Sequence, residues 1–110
     1  MPKGQHLAEF EQYVLLSLVR LGDEAYGAAI RREIEERTSR PVSIGAVYAT
    51  LGRLADKELV ESWMSDPLPV RGGRSRKHFR LTPHGDETLR HTVGMLSRML
   101  DGLELGSDAE

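Results

Sequence analysis

Apolar residues recur along this 110-residue chain with two different periods, and the change of period divides it. From about His6 to Leu21, Phe10, Val14, Leu18 and Leu21 mark one helical stripe. Leu15, Leu16 and Val19 fall outside that stripe, so the helix is apolar nearly all round, the pattern of a helix covered on more than one side. One core of this size does not easily cover such a helix completely. Either it is central to the subunit, or part of it faces a second copy. Gly22, Asp23 and Glu24 end it and suit the start of another helix. The second helix is predicted from about Tyr26 to Arg37, with Tyr26, Ile30 and Ile34 one turn apart and Gly27, Ala28 and Ala29 small enough for close packing. Thr38 to Val42 break the pattern, because Pro41 cannot donate a backbone hydrogen bond and disfavours helix at the residue before it.

The third helical stretch lies between Ser43 and Leu59. Ile44, Val47, Leu51 and Leu54 form its apolar side, and the Ser43 hydroxyl is placed to cap the free amides of the first turn. The other side holds Gly45, Ala46, Ala49, Gly52 and Arg53: small residues and one cation. After Leu59 the period drops to two. Val60 to Ser65 alternates with Val60, Ser62 and Met64 on one face, and Arg76 to Thr82 alternates again. Turn residues lie between them, including Asp66, Pro67, Pro69, Gly72 and Gly73, so the two strands read as a β-hairpin. Thr82 and Pro83 then open a last helix, whose Leu89, Val93, Leu96, Leu100 and Leu103 step by four and three in a heptad seam widened by Met95 and Met99.

These elements are mainly α with a β-hairpin, in the order of a winged helix-turn-helix plus a C-terminal dimerisation helix. The expected organisation is a winged helix-turn-helix domain with its N-terminal helix over residues 1–82, a dimerisation helix over 83–104 and an acidic tail over 105–110. Phe10 and Val14 of the first helix, with Leu89, Val93, Leu96, Leu100 and Leu103 of the last, are the expected homodimer contacts. The alternative for the last helix is an ordinary amphipathic helix lying on its own domain.

Composition narrows the function. The chain has no cysteine, so it has neither a disulfide framework nor thiolate chemistry. No apolar run approaches the ~18 residues of a membrane span, and the start MPKGQHLAEF lacks the apolar core of a signal peptide. The expectation is a cytoplasmic protein without a membrane partner. The net charge of −2 speaks against nucleic acid until its distribution is considered. Residues 1–36 carry −3, residues 37–80 carry +5 and residues 81–110 carry −4. Arg71, Arg74, Arg76, Lys77 and Arg80 crowd one stretch that holds no acid. A basic island between acidic flanks suits a polyanion such as double-stranded DNA.

In that reading Ser43, Gly45, Ala46, Tyr48, Ala49 and Arg53 face a groove. Ser43 and Tyr48 offer hydroxyls to phosphates, and the small residues allow close approach. Thr50 lies nearer the core edge. Arg74, Arg76 and Lys77 are the cations of the wing, turned outward by Gly72 and Gly73. For Tyr48 the plainer reading is a core aromatic with a hydrogen-bonded tip; for Arg53 it is a surface ion pair with Asp56 or a neighbouring charge.

The sequence resembles the PadR-like family of bacterial transcriptional regulators. The likeness is carried by Tyr26-Gly27 ahead of Ile30 and Ile34, and by Ser43-Ile44-Gly45-Ala46-Val47-Tyr48. It continues through Leu51, Arg53-Leu54, Leu59-Val60, Gly72-Gly73-Arg74, Arg76-Lys77, Leu81-Thr82 and Gly85, over about residues 10–90. It implies a winged helix-turn-helix that dimerises through one C-terminal helix, acts usually as a repressor and in some members responds to a small-molecule effector. Two departures are His78 and Phe79, where the family often has two tyrosines, and Ala55, where an acid is common. A dimer with two-fold symmetry would read an inverted-repeat operator.

No nucleophile elbow or phosphate loop is present, so an enzyme is not expected, and no cofactor is implied. His84, Glu87 and His91 share a helix face, but a solvated helix start explains them more simply than a metal. The serious alternative is a dimeric winged-helix protein-interaction module without specific DNA binding, which the acidic flanks keep open.

Overall fold

The computed structural model describes residues 6–66 and 75–105. In chain order these form helix α1 (Glu9–Leu21), a 3-10 turn (Gly22–Glu24), helices α2 (Gly27–Thr38) and α3 (Ile44–Asp56), strands β1 (Val60–Met64) and β2 (Lys77–Leu81), and helix α4 (Pro83–Leu100). The expected elements are all present, with ends that differ by up to four residues, the largest at the end of α4.

Local chemistry explains the boundaries. The Ser43 hydroxyl accepts the Ala46 amide at 3.0 Å, and Thr82 accepts that of Gly85 at 2.9 Å with Pro83 following it. Between α2 and α3, Ser39 takes a left-handed conformation (φ 57°) and returns its amide to Glu35. The Glu35 carboxylate accepts the Val42 amide at 2.9 Å, which pins the turn around Pro41. β1 and β2 pair antiparallel, with Val60 opposite Leu81 and Trp63 opposite His78. An isolated antiparallel bridge adjoins them, because Tyr26 bridges to His78 and the Phe79 amide donates to the Ala25 carbonyl at 2.9 Å. The hairpin is thereby tied to the start of α2. Gly72, Gly73 and Arg74 of the expected wing tip lie outside the described residues.

The core sits where α1, α2 and α3 meet the hairpin, around Leu15, Ile30, Leu51, Leu54, Leu59 and Phe79. Burial corrects two dimer assignments. Val14 is fully buried and Leu89 is 5% exposed, so both belong to the core of their own subunit and neither is open to a partner. Phe10 packs on the edge of that core, under the Arg40 guanidinium. The spare apolar surface of α1 falls instead on Leu16 and Val19. Ile44, expected on the buried side of α3, is exposed, and Thr50 is buried there. On α4, Val93, Met95, Leu96, Met99 and Leu100 remain exposed. The helix ends at Leu100, so Leu103 follows a turn at Asp101–Gly102 and does not extend the seam in register. Among the described residues no helix is long and apolar enough to cross a membrane.

Candidate nucleic-acid interface

The residues of α3 divide cleanly. Val47, Thr50, Leu51 and Leu54 face inward, while Ser43, Gly45, Ala46, Tyr48, Ala49, Gly52 and Arg53 are exposed on one continuous side. A Cβ built on Gly45 or Gly52 meets nothing within 4 Å. No described part of the subunit therefore uses their small size, although glycine weakens a helix interior by roughly 0.5–1 kcal/mol relative to alanine.

Tyr48 is neither a core aromatic nor a free one. It is 47% exposed, its ring meets Phe79 edge-on at 6.4 Å, and its hydroxyl end lies across Gly27. A Cβ at Gly27 would be 2.4 Å from the Tyr48 Oη. The Tyr26-Gly27 pair thus has a physical reason: only a residue without a side chain lets the Tyr48 ring lie down against α2.

Arg53 is held from two directions. Its guanidinium donates to the Thr50 hydroxyl at 3.0 Å and lies 3.9 Å from the carboxylate of Glu11 on α1, while more than half of the side chain stays exposed. Its acidic partner is therefore Glu11, not Asp56. Glu11 is a residue that the sequence reading missed. It is nearly buried, accepts the Ala8 amide at 2.9 Å at the start of α1, and pairs with Lys57 at 3.0 Å. Burial pushes its carboxyl pKa up, but the Ala8 amide, the Lys57 ammonium and the Arg53 guanidinium together outweigh that and hold it below the ordinary value. One signal did point to it: Glu11 is an acid on the same helix face as Val14, Leu15 and Leu18.

The outer face of the hairpin carries alternating aromatic and cationic side chains. Trp63 stacks on His78 at 5.1 Å, Arg80 lies over Trp63 at 4.9 Å and pairs with Glu61, and Arg76 covers the ring of Tyr26 at 4.3 Å. His78 is also fixed through Nδ1 to the Asp23 carbonyl at 2.8 Å. Lys77 projects on the opposite face, over Phe79. Arg76 and Lys77 thus lie at the root of the wing, one on each side. Arg74 lies outside the described residues.

Three helices with a capped, small-faced third helix, followed by a basic hairpin that pairs with the segment before the second, define a winged helix-turn-helix, a class built for DNA. The chain belongs to the transcriptional regulator PadR-like family, whose profile matches residues 15–91, and is thus a DNA-binding transcription regulator. Among solved structures it is similar to a PadR-like transcriptional regulator from Bacillus cereus (25% identity, 89% of this chain and 93% of that one, TM-score 0.66). A PadR family regulator from Clostridium difficile matches at 25% identity over 84% of this chain and 95% of that one, with a TM-score of 0.65. A complex structure of hsRosR-S4 matches at 30% identity over 94% and 80%, with a TM-score of 0.63. No curated protein matches the chain.

Proposed function

We propose that this regulator acts as a homodimeric repressor that binds an inverted-repeat operator through α3 and the wing. The observation that carries the reading is the outward side of α3, where Gly45, Ala46, Ala49 and Gly52 surround Arg53 and no described element of the subunit covers them. Such a surface approaches base edges closely, and an alanine methyl there contacts a thymine methyl. Ser43 and Tyr48 flank it with hydroxyls for phosphate oxygens, and Arg76, Lys77 and Arg74 supply charge from the wing. Phosphate contacts set position and affinity, and the α3 side sets sequence preference.

A second copy fits the surplus apolar surface. Leu96 and Met99 are 56% and 75% exposed on α4, and Leu16 and Val19 are exposed on α1. Exposed large apolar side chains along α4 support an association surface there. Two-fold pairing would set the α3 helices about one helical turn of DNA apart (about 34–36 Å), hence an inverted repeat. Repression is the direction of control that the family resemblance implies.

Selection of bound duplexes from a random pool tests the proposal. The expected result is a common motif with two inverted half-sites, bound by two subunits, with affinity falling by about one log unit per log unit of salt for each phosphate contacted. A protein-interaction module would enrich no common sequence, and that outcome would overturn the reading.

A further inference from the structure

A second cluster of charge stands beside α3 and joins Tyr26 and Arg32 to the wing cation Arg76. Tyr26 is the residue that begins α2, and its ring is fixed on the sheet side by the backbone bridge to His78 and by an edge contact with that imidazole at 5.7 Å. Two guanidiniums converge on it. Arg32, from the second turn of α2, donates to the Tyr26 hydroxyl at 3.4 Å, and Arg76, from the wing, lies 4.3 Å from the ring centre. Among the described residues Arg31, Arg37, Arg40, Arg53, Arg80 and Arg90 pair with a carboxylate, whereas Arg20, Arg32, Arg76 and Arg98 pair with none, and of these four Arg32 and Arg76 converge on one phenol. Like charges brought to one neutral phenol repel each other, and an anion shared between them reverses the sign of that interaction. The hydrogen bond from Arg32 lowers the phenol's pKa, burial raises it, and the charge of Arg76 lowers it further, with a net fall below the ordinary 10.0. The hydroxyl is thus a stronger donor. The next residue, Gly27, lies under the end of Tyr48, so the cluster adjoins α3 at the start of α2.

We infer that Tyr26, Arg32 and Arg76 form a phosphate-binding site at the root of the wing, which takes the non-bridging oxygens of a DNA backbone phosphate between the grooves contacted by α3 and the hairpin. The inference rests on the DNA-binding reading above. The phenol donates one hydrogen bond, and the two arginines supply fixed forks of donors from different elements. The site therefore locks the angle between wing and reading helix on the duplex.

The test is an anisotropy titration of the duplex selected by the wild-type protein, over a range of salt, with Arg32→Gln, Arg32→Lys and Tyr26→Phe. Arg32→Gln should weaken binding roughly fivefold to tenfold and reduce the salt slope by about one per subunit. Arg32→Lys should restore the slope. Tyr26→Phe should weaken binding with the slope unchanged, because it removes a donor and no charge. Emission of Trp63, the only tryptophan, reports whether the stack on His78 survives in each variant. In a second arm, inorganic phosphate is titrated without DNA. A saturable change in Trp63 emission that Arg32→Gln abolishes assigns the site to free phosphate as well. If the wild type binds duplex while Arg32→Gln alters neither the slope nor a phosphate response, the site is refuted and DNA binding stands. If the wild type binds no duplex at all, the DNA reading itself falls.

Discussion

Glycine at position 85 is required by contact with backbone, and replacing it is the sharpest test of how α4 is seated. A Cβ built on Gly85 would lie 1.9 Å from the Leu59 carbonyl oxygen and 2.9 Å from its carbon. Neither atom belongs to a side chain that can swing away. The start of α4 must therefore retreat by roughly 1 Å, since real Cβ contacts below 3.0 Å are essentially unknown. That movement strains two hydrogen bonds that join α4 to the turn after α3: Thr82 amide to Leu59 carbonyl at 3.0 Å, and Thr82 hydroxyl to Glu58 carbonyl at 2.7 Å. Each is worth about 0.5–1.5 kcal/mol. Overpacking adds about 1–3 kcal/mol, and the better helix propensity of alanine returns up to ~1 kcal/mol. The net loss for Gly85→Ala is about 2–4 kcal/mol, or on the order of 10–20 °C in Tm for a domain of this size. Calorimetry or far-UV circular dichroism measures it, at matched protein concentration because association contributes to Tm. The same substitution at Gly52, also within a helix but with nothing near its Cβ, should stabilise the subunit by up to ~1 kcal/mol. If Gly85→Ala melts within about 3 °C of wild type, the reasoning about close backbone approach is wrong.

Gly27→Ala should separate stability from function. It displaces the Tyr48 ring, which is free to move outward, so Tm should change by no more than the ~1 kcal/mol of an edge contact, while duplex affinity measured by anisotropy falls; unchanged affinity would remove Tyr48 from the interface. Glu11→Gln tests the ion cluster between α1 and α3. Because the folded pKa of Glu11 lies below its ordinary 4.5, its stabilisation is complete above that pH and is lost as pH falls through the folded value. The Tm gap between wild type and Glu11→Gln should therefore be full at neutral pH and close on acidification below about 4.5; a gap constant with pH would contradict the assignment. Leu96→Asp with Leu100→Asp places charge on exposed positions, so the subunit should stay folded by circular dichroism while sedimentation shows monomers with weakened duplex binding. A dimer that survives both changes would exclude the α4 stripe as the association surface.

Much of this molecule is legible in one dimension because its signals are local. A hydroxyl one residue before an apolar run caps the helix that follows, as Ser43 and Thr82 do. A change of period at Leu59 marks helix giving way to hairpin, since alternation and helical spacing cannot be satisfied by the same backbone. The motif glycines were visible too, but their reasons were not. Gly27 answers to Tyr48 and Gly85 to Leu59, partners far away along the chain.

The order of elements, the capped starts of α3 and α4 and the small-residue side of α3 follow from the amino-acid sequence alone, because each depends on neighbours within a few residues. Tertiary structure decided which apolar positions are spent on the core. Leu89 shares its stripe with residues that remain outside, and only the seating of α4 on the turn after α3 draws Leu89 in while leaving Leu96 out. It also decided which charges meet. Glu11 joins Arg53 and Lys57, and Arg32 joins Arg76 around Tyr26, because helix packing and strand pairing bring together groups that no spacing rule relates. Periodicity gives the direction in which a side chain points; what it meets there depends on the packing of the whole chain.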